Sequence, residues 1–141
     1  MPIGEKLYEE SGSCTGVSLK TLHGESAAVM DFTFRSKVKG LGRLKGKSGT
    51  NHATVEILAG ARGKVDGVGK GILVFGKDET VTWHRVGINT VKGGRPVYAA
   101  VLRFATTSPE LNWLNDIIGV VEGEIDEELN IIKRAAYEWV F

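Results

Sequence analysis

A single cysteine, Cys14, in 141 residues excludes an intrachain disulfide and a multi-cysteine zinc site. Such a chain is expected in a reducing cytoplasm. The net charge of +1 supplies no global field to attract nucleic acid or an anionic membrane, so neither is expected as a partner. Apolar runs such as 117–121 are far shorter than the roughly 20 residues that span a bilayer. The opening Met-Pro-Ile-Gly-Glu-Lys lacks the apolar core of a signal peptide. His23, His52 and His84 form no H-x-H or H-x-x-x-H pair, so no metal site is read and no cofactor is expected. No Ser/His/Asp or Cys/His arrangement stands out either, and Cys14 reads as inert.

What the chain does have is glycine, 19 residues against three prolines, together with a dominant period of two. Met30, Phe32 and Phe34 alternate with Asp31, Thr33 and Arg35, and Ala135, Tyr137, Trp139 and Phe141 share one face. Turn signals separate the runs: His23-Gly24, Lys64-Val65-Asp66-Gly67, Gly76-Lys77-Asp78, Lys92-Gly93-Gly94 and Asp126-Glu127-Glu128. Strands are read near 4–10, 12–22, 27–39, 41–48, 52–59, 67–76, 79–88, 96–106, 117–125 and 131–140. Ser108-Pro109-Glu110, with Leu111 and Leu114 behind it, predicts one short helix, or a turn of 3₁₀ helix, near 108–115. The expectation is one mainly β domain over 1–141, an antiparallel closed barrel, because closure removes strand edges.

Several segments invite a functional reading. Gly46-Lys47-Ser48 resembles the end of a phosphate loop, but Leu41 stands where the partner glycine belongs and a strand-like run follows. Gly67-Val68-Gly69-Lys70-Gly71 lacks dinucleotide-loop spacing and reads as strand glycines. Arg35, Lys37, Lys39, Arg43, Lys45 and Lys47 form a basic stripe, solvated if Phe32, Phe34 and Leu44 face inward. Glu122 and Glu124 share one strand face, roughly 7 Å apart, with Val121, Gly123 and Ile125 on the other. In the strand around Val81–Val86, either Trp83 and Arg85 or His84 points inward. Arg103 is the only charge in a strand that is apolar on both faces, where a buried guanidinium needs a carboxylate or an anionic ligand. The second apolar face of that strand predicts cover by the short helix or by another subunit, a homo-oligomer with a dimer favoured.

Arg103-Phe104-Ala105-Thr106-Thr107-Ser108, Leu111 with Leu114-Asn115, Val121-Glu122-Gly123-Glu124-Ile125-Asp126 and Tyr137-Glu138-Trp139 carry a resemblance. These segments, with Gly67–Gly71 and Thr82-Trp83, resemble a group of uncharacterised short bacterial and archaeal proteins. The resemblance implies a calycin-like barrel similar to allene oxide cyclase and dirigent-type proteins, which cyclise, couple or bind hydrophobic molecules. It transfers fold and no catalytic residue. The leading expectation is binding of a small, largely apolar molecule inside the barrel. The alternatives are a cofactor-independent cyclase or isomerase, and a filled structural barrel acting through its surface or assembly. Candidate ligand-binding residues are Arg103, His84 or Arg85, and Glu122, with Tyr98, Tyr137 and Trp139 as walls.

Overall fold

The computed structural model describes residues 3–59 and 65–140, the side chains of 59, 65, 66 and 95 excepted. Phe141 and Lys64, named above, lie outside these. Eight strands run β1 (Ile3–Leu22), β2 (Ala28–Gly40), β3 (Ser48–Ala59), β4 (Val65–Gly76), β5 (Glu79–Lys92), β6 (Arg95–Ala105), β7 (Ile118–Ile125) and β8 (Asn130–Trp139). Each pairs antiparallel with its sequence neighbour, and β8 returns to β1, giving a closed barrel. An up-and-down barrel of this size leaves an interior that side chains fill or that holds one small ligand. Among the described residues no helix is long and apolar enough to cross a membrane.

Two expected elements differ. The runs near 4–10 and 12–22 form one strand, because Gly12 continues the pairing with Ser36 instead of turning the chain. The expected strand near 41–48 is instead a turn with a 3₁₀ segment at Gly42–Leu44. Gly42 and Gly46 adopt positive φ, and the Gly40 amide donates to the Lys47 carbonyl, closing the turn. The segment expected near 108–115 is present in its 3₁₀ form, Pro109–Asp116, with proline in its first turn. Both segments plug the same end of the barrel: Leu44, Leu111 and Leu114 are buried there with Leu7, Leu73 and Leu102. Among the described residues the barrel's other end, which we term the mouth, carries the β1–β2, β5–β6 and β7–β8 turns.

Alternation fixes the two faces. Along β5, Val81, Trp83, Arg85 and Gly87 are buried while Thr82, His84, Val86 and Ile88 are exposed. Along β6, Tyr98, Ala100, Leu102 and Phe104 face inward. The basic side chains Arg35, Lys37 and Lys39 alternate with buried Phe34, Ser36 and Val38 and are solvated. Arg43 stacks on the Trp113 ring at 3.8 Å, and Lys47 pairs with Glu79.

Candidate functional site

Polar groups gather in a layer across the barrel interior. One hydrogen-bonded row places Asn89, Tyr98, Gly123, Arg134 and Glu10 side by side on β5, β6, β7, β8 and β1. Glu10 anchors this layer. Its Oε1 accepts from Ser36 Oγ and from Asn51 Nδ2 (2.7 Å), and Asn51 Oδ1 accepts from Trp83 Nε1 at 2.8 Å. Its Oε2 lies 2.8 Å from Arg134 Nε, an ion-pair contact rather than an aligned hydrogen bond. Burial is the largest influence on Arg134 and opposes its charge, but Glu10 together with Tyr98 and Tyr8 outweighs it and raises the pKa.

The bulky members of the layer lie over glycines of the neighbouring strand. Trp83 pairs with Gly71 and Arg85 with Gly69, where added Cβ atoms would fall 2.5 Å from the Trp83 ring and 2.9 Å from Arg85 Cγ. Tyr98 pairs with Gly123, whose added Cβ would meet the phenol oxygen at 2.5 Å. The Gly67–Gly71 repeat is therefore a bare inner face that admits Trp83 and Arg85.

Arg85 is the unbalanced member. It is 4% exposed, and among the described residues no carboxylate pairs with it. Its Cζ lies 4.9 Å from the centroid of the Tyr98 ring, and Arg134 Cζ lies 5.6 Å from the same centroid. Burial, then the neighbouring Arg134 charge, lower its pKa to about 10, so it is still charged at neutral pH. Burial also raises the phenols Tyr8 and Tyr98, keeping both protonated. Arg85 Nε, Asn89 Nδ2, Tyr8 Oη, Tyr98 Oη and Arg134 Nη2 are buried with no hydrogen-bond partner.

Above this layer is a notch lined by Arg85, Asn89, Tyr98 and Arg134 and by Phe34, Val55, Ile57, Ile125 and Ile131. Its volume is about 20 Å³, room for roughly one water-sized group. A larger hollow, about 570 Å³, lies on the open outer wall beside Ile88, Val97, Glu122 and Lys133, where the charged groups are already solvated. Among the described residues no three His, Cys, Asp or Glu side chains converge as metal ligands.

Of the residues singled out from the sequence, the structure brings Arg85 and Tyr98 together inside the barrel. The others stand elsewhere. Arg103 is exposed on the outer wall, where its Nη1 donates to the Ile117 carbonyl at 3.1 Å, so the expected buried guanidinium is not found at this position. His84 and Glu122 also face outward, opposite in parity to the buried Trp83, Arg85 and Val121. Tyr137 pairs with Val120 and Lys6 on the outer wall, and Trp139 follows the same face, so neither lines the interior. A register shift between Glu124 and Ile125 on β7 turns Ile131, Arg134 and Ala136 inward instead. Sequence reasoning missed Glu10, Arg134, Asn51 and Asn89. Glycine opposite bulk marks Trp83, Arg85 and Tyr98, because a bare strand face demands a large side chain across from it, but no such signal marks Glu10 or Asn51.

The fold and its interior thus define an eight-stranded antiparallel barrel with a charged layer below an apolar mouth. Two solved structures share the barrel fold at 15% sequence identity. One is a protein of unknown function from Clostridium acetobutylicum ATCC 824, with a TM-score of 0.77 over 96% of this chain and 97% of that one. The other is an enzyme from Penicillium herquei, with a TM-score of 0.61 over 98% of this chain and 96% of that one. At this identity the likeness is one of fold. No family model and no curated protein matches the chain.

Proposed function

We propose that the barrel binds a small, largely apolar molecule at its mouth, with the buried polar layer fixing one end of it. The observation that carries this reading is the convergence of unpartnered donors from Arg85, Asn89 and Tyr98 on a notch with apolar walls. A buried donor without an acceptor costs about 1–3 kcal/mol, so an acceptor delivered to the notch is favoured by what the fold leaves unmet. The notch takes only the polar end; the apolar body rests against Ile57, Ile125 and the rim. Binding is favoured over cyclisation or isomerisation because the buried carboxylate, Glu10, is already engaged by Ser36, Asn51 and Arg134. A general base needs a free lone pair within reach of the proton it takes. The test is fluorescence of the neutral probe N-phenyl-1-naphthylamine. Enhanced, blue-shifted emission is expected with the parent, and its loss in Ile57→Trp and Ile125→Trp variants that keep their circular dichroism spectrum. Equal emission from parent and rim-filled variants would overturn the reading.

A second reading, a barrel working through its assembly, rests on the outer wall. Val68, Val86, Val101 and Val120 form one cross-strand row over β4, β5, β6 and β7. The first three are 50%, 68% and 51% exposed, because the Pro109–Asp116 segment closes the barrel end and leaves this face open. We propose that the row meets a second copy of the chain. Lys70, His84 and Arg103 flank it on one side, and Glu122 flanks it on the other. A two-fold axis lying along the row sets one rim over the other, so the face is complementary to itself in charge. Sedimentation should give a dimer that Val101→Lys converts to monomer. A parent that stays monomeric across the accessible concentration range would refute it.

A further inference from the structure

We infer that the molecule received at the mouth is an organic acid, its carboxylate held between Arg85 and Arg134 beside the Tyr98 hydroxyl. This rests on the mouth reading above and names the chemistry of its ligand. The buried layer holds two guanidinium groups and one carboxylate among the described residues, an excess of one positive charge. Glu10 cannot serve both arginines. It sits beside Arg134 on the adjacent strand and spends its other oxygen on Ser36 and Asn51. Both guanidiniums line the same notch, and both lie within 6 Å of the Tyr98 ring centroid, so an anion seated in the notch faces both.

The donors point to the kind of anion. A carboxylate is planar, carries one charge and accepts two parallel N–H bonds from a guanidinium. Its single charge cancels the excess of one. A phosphate dianion would overshoot it. A neutral alcohol would leave Arg85 uncompensated in a low-dielectric layer. The apolar walls at Phe34, Val55 and Ile131 favour an acid with a hydrocarbon body over a free inorganic anion.

The test compares octanoate with octanol and 3-phenylpropionate with 3-phenylpropanol by calorimetry, with sodium chloride as the inorganic control. At least one acid is expected to bind about tenfold or more tightly than its alcohol and to raise the melting temperature at fixed ionic strength. Arg85→Met should abolish that preference, bringing acid and alcohol to equal affinity, with Arg85→Gln as a second variant should the first fold poorly. Equal affinity for acid and alcohol would overturn this inference and leave the mouth reading standing. Stabilisation by chloride as large as that by either acid would overturn the organic part of it. Failure of all four organic compounds to bind would overturn both.

Discussion

Arg85→Met and Arg134→Met remove the same guanidinium from the same buried layer, and their effects on stability should have opposite signs. For Arg85, a pKa lowered from 12.5 to about 10 corresponds to about 3 kcal/mol against the charged form, at about 1.4 kcal/mol per factor of ten. Its contact with the Tyr98 face returns part of this, up to about 2 kcal/mol for a desolvated pair. Methionine keeps the aliphatic stem that packs over Gly69 and removes the charge. Arg85→Met should therefore stabilise the fold by about 1–3 kcal/mol. Arg134 is the counter-ion of a buried carboxylate, and taking it away strands Glu10 Oε2. Breaking a buried pair from one side costs about 3–5 kcal/mol.

The two variants should thus lie about 4–8 kcal/mol apart, a large share of the roughly 5–15 kcal/mol that holds a domain folded. Urea unfolding followed by tryptophan fluorescence reads this directly, since Trp83 is hydrogen-bonded into the layer. With a denaturant slope of about 2 kcal/mol/M, the midpoints should differ by about 2–4 M. Adding Glu10→Gln to Arg134→Met should recover part of the loss, because the stranded charge goes with it. Equal destabilisation by both single variants, or a loss above about 1 kcal/mol from Arg85→Met, would refute the charge-excess argument.

Gly123→Ala places a Cβ 2.5 Å from Tyr98 Oη and 2.7 Å from the Lys133 carbonyl, and should cost about 1–3 kcal/mol in the same assay. Leu129 is the only described non-glycine residue at positive φ, 63°, so Leu129→Gly should gain about 1 kcal/mol in thermal unfolding. Asp126 accepts from the amides of Asn130 and Glu128, which lowers its pKa, as does the Asn130 side chain. A lowered carboxyl stabilises above its unfolded value, near 3.8, and loses that contribution as pH falls through the folded value. Asn130 amide protection should fall over that acidic window in the parent and be insensitive to it in Asp126→Asn.

Period-two alternation made most of the barrel legible, and it failed where a turn carries the same pattern. Arg43, Lys45 and Lys47 continue the odd-numbered basic stripe of β2, so periodicity alone extends a strand through a turn that Gly42 and Gly46 bend. The face of β5 was ambiguous from its own residues. Its resolution lies in β4, whose glycines leave space only for the Trp83 and Arg85 parity. Arg103 misled for a physical reason. Both faces of β6 are apolar, but the outer one is open, and the cost argument applies only to a buried charge. Glu10 and Arg134 follow Glu9 and Lys133, and nothing in those doublets tells the buried charge from the exposed one.

The position of the polar layer decides what its excess charge does. Below it, the plug of Leu7, Leu44, Leu111 and Leu114 excludes water; above it stand Phe34, Val55, Ile57 and Ile131. A guanidinium between two apolar layers is poorly screened, so an opposite charge there is worth far more than on the solvated outer wall. The same geometry gives that charge a direction. The plugged end is closed by leucines, and Glu10 is engaged by Ser36 on β2, Asn51 on β3 and Arg134 on β8, so a full counter-charge for Arg85 has room only on the notch side. In a fully hydrophobic interior this barrel would have no preference among apolar molecules of one size. On the proposed reading, Arg85 without a paired carboxylate passes preference from shape to charge, and an acid would be selected at the atoms of the ligand that enter the notch.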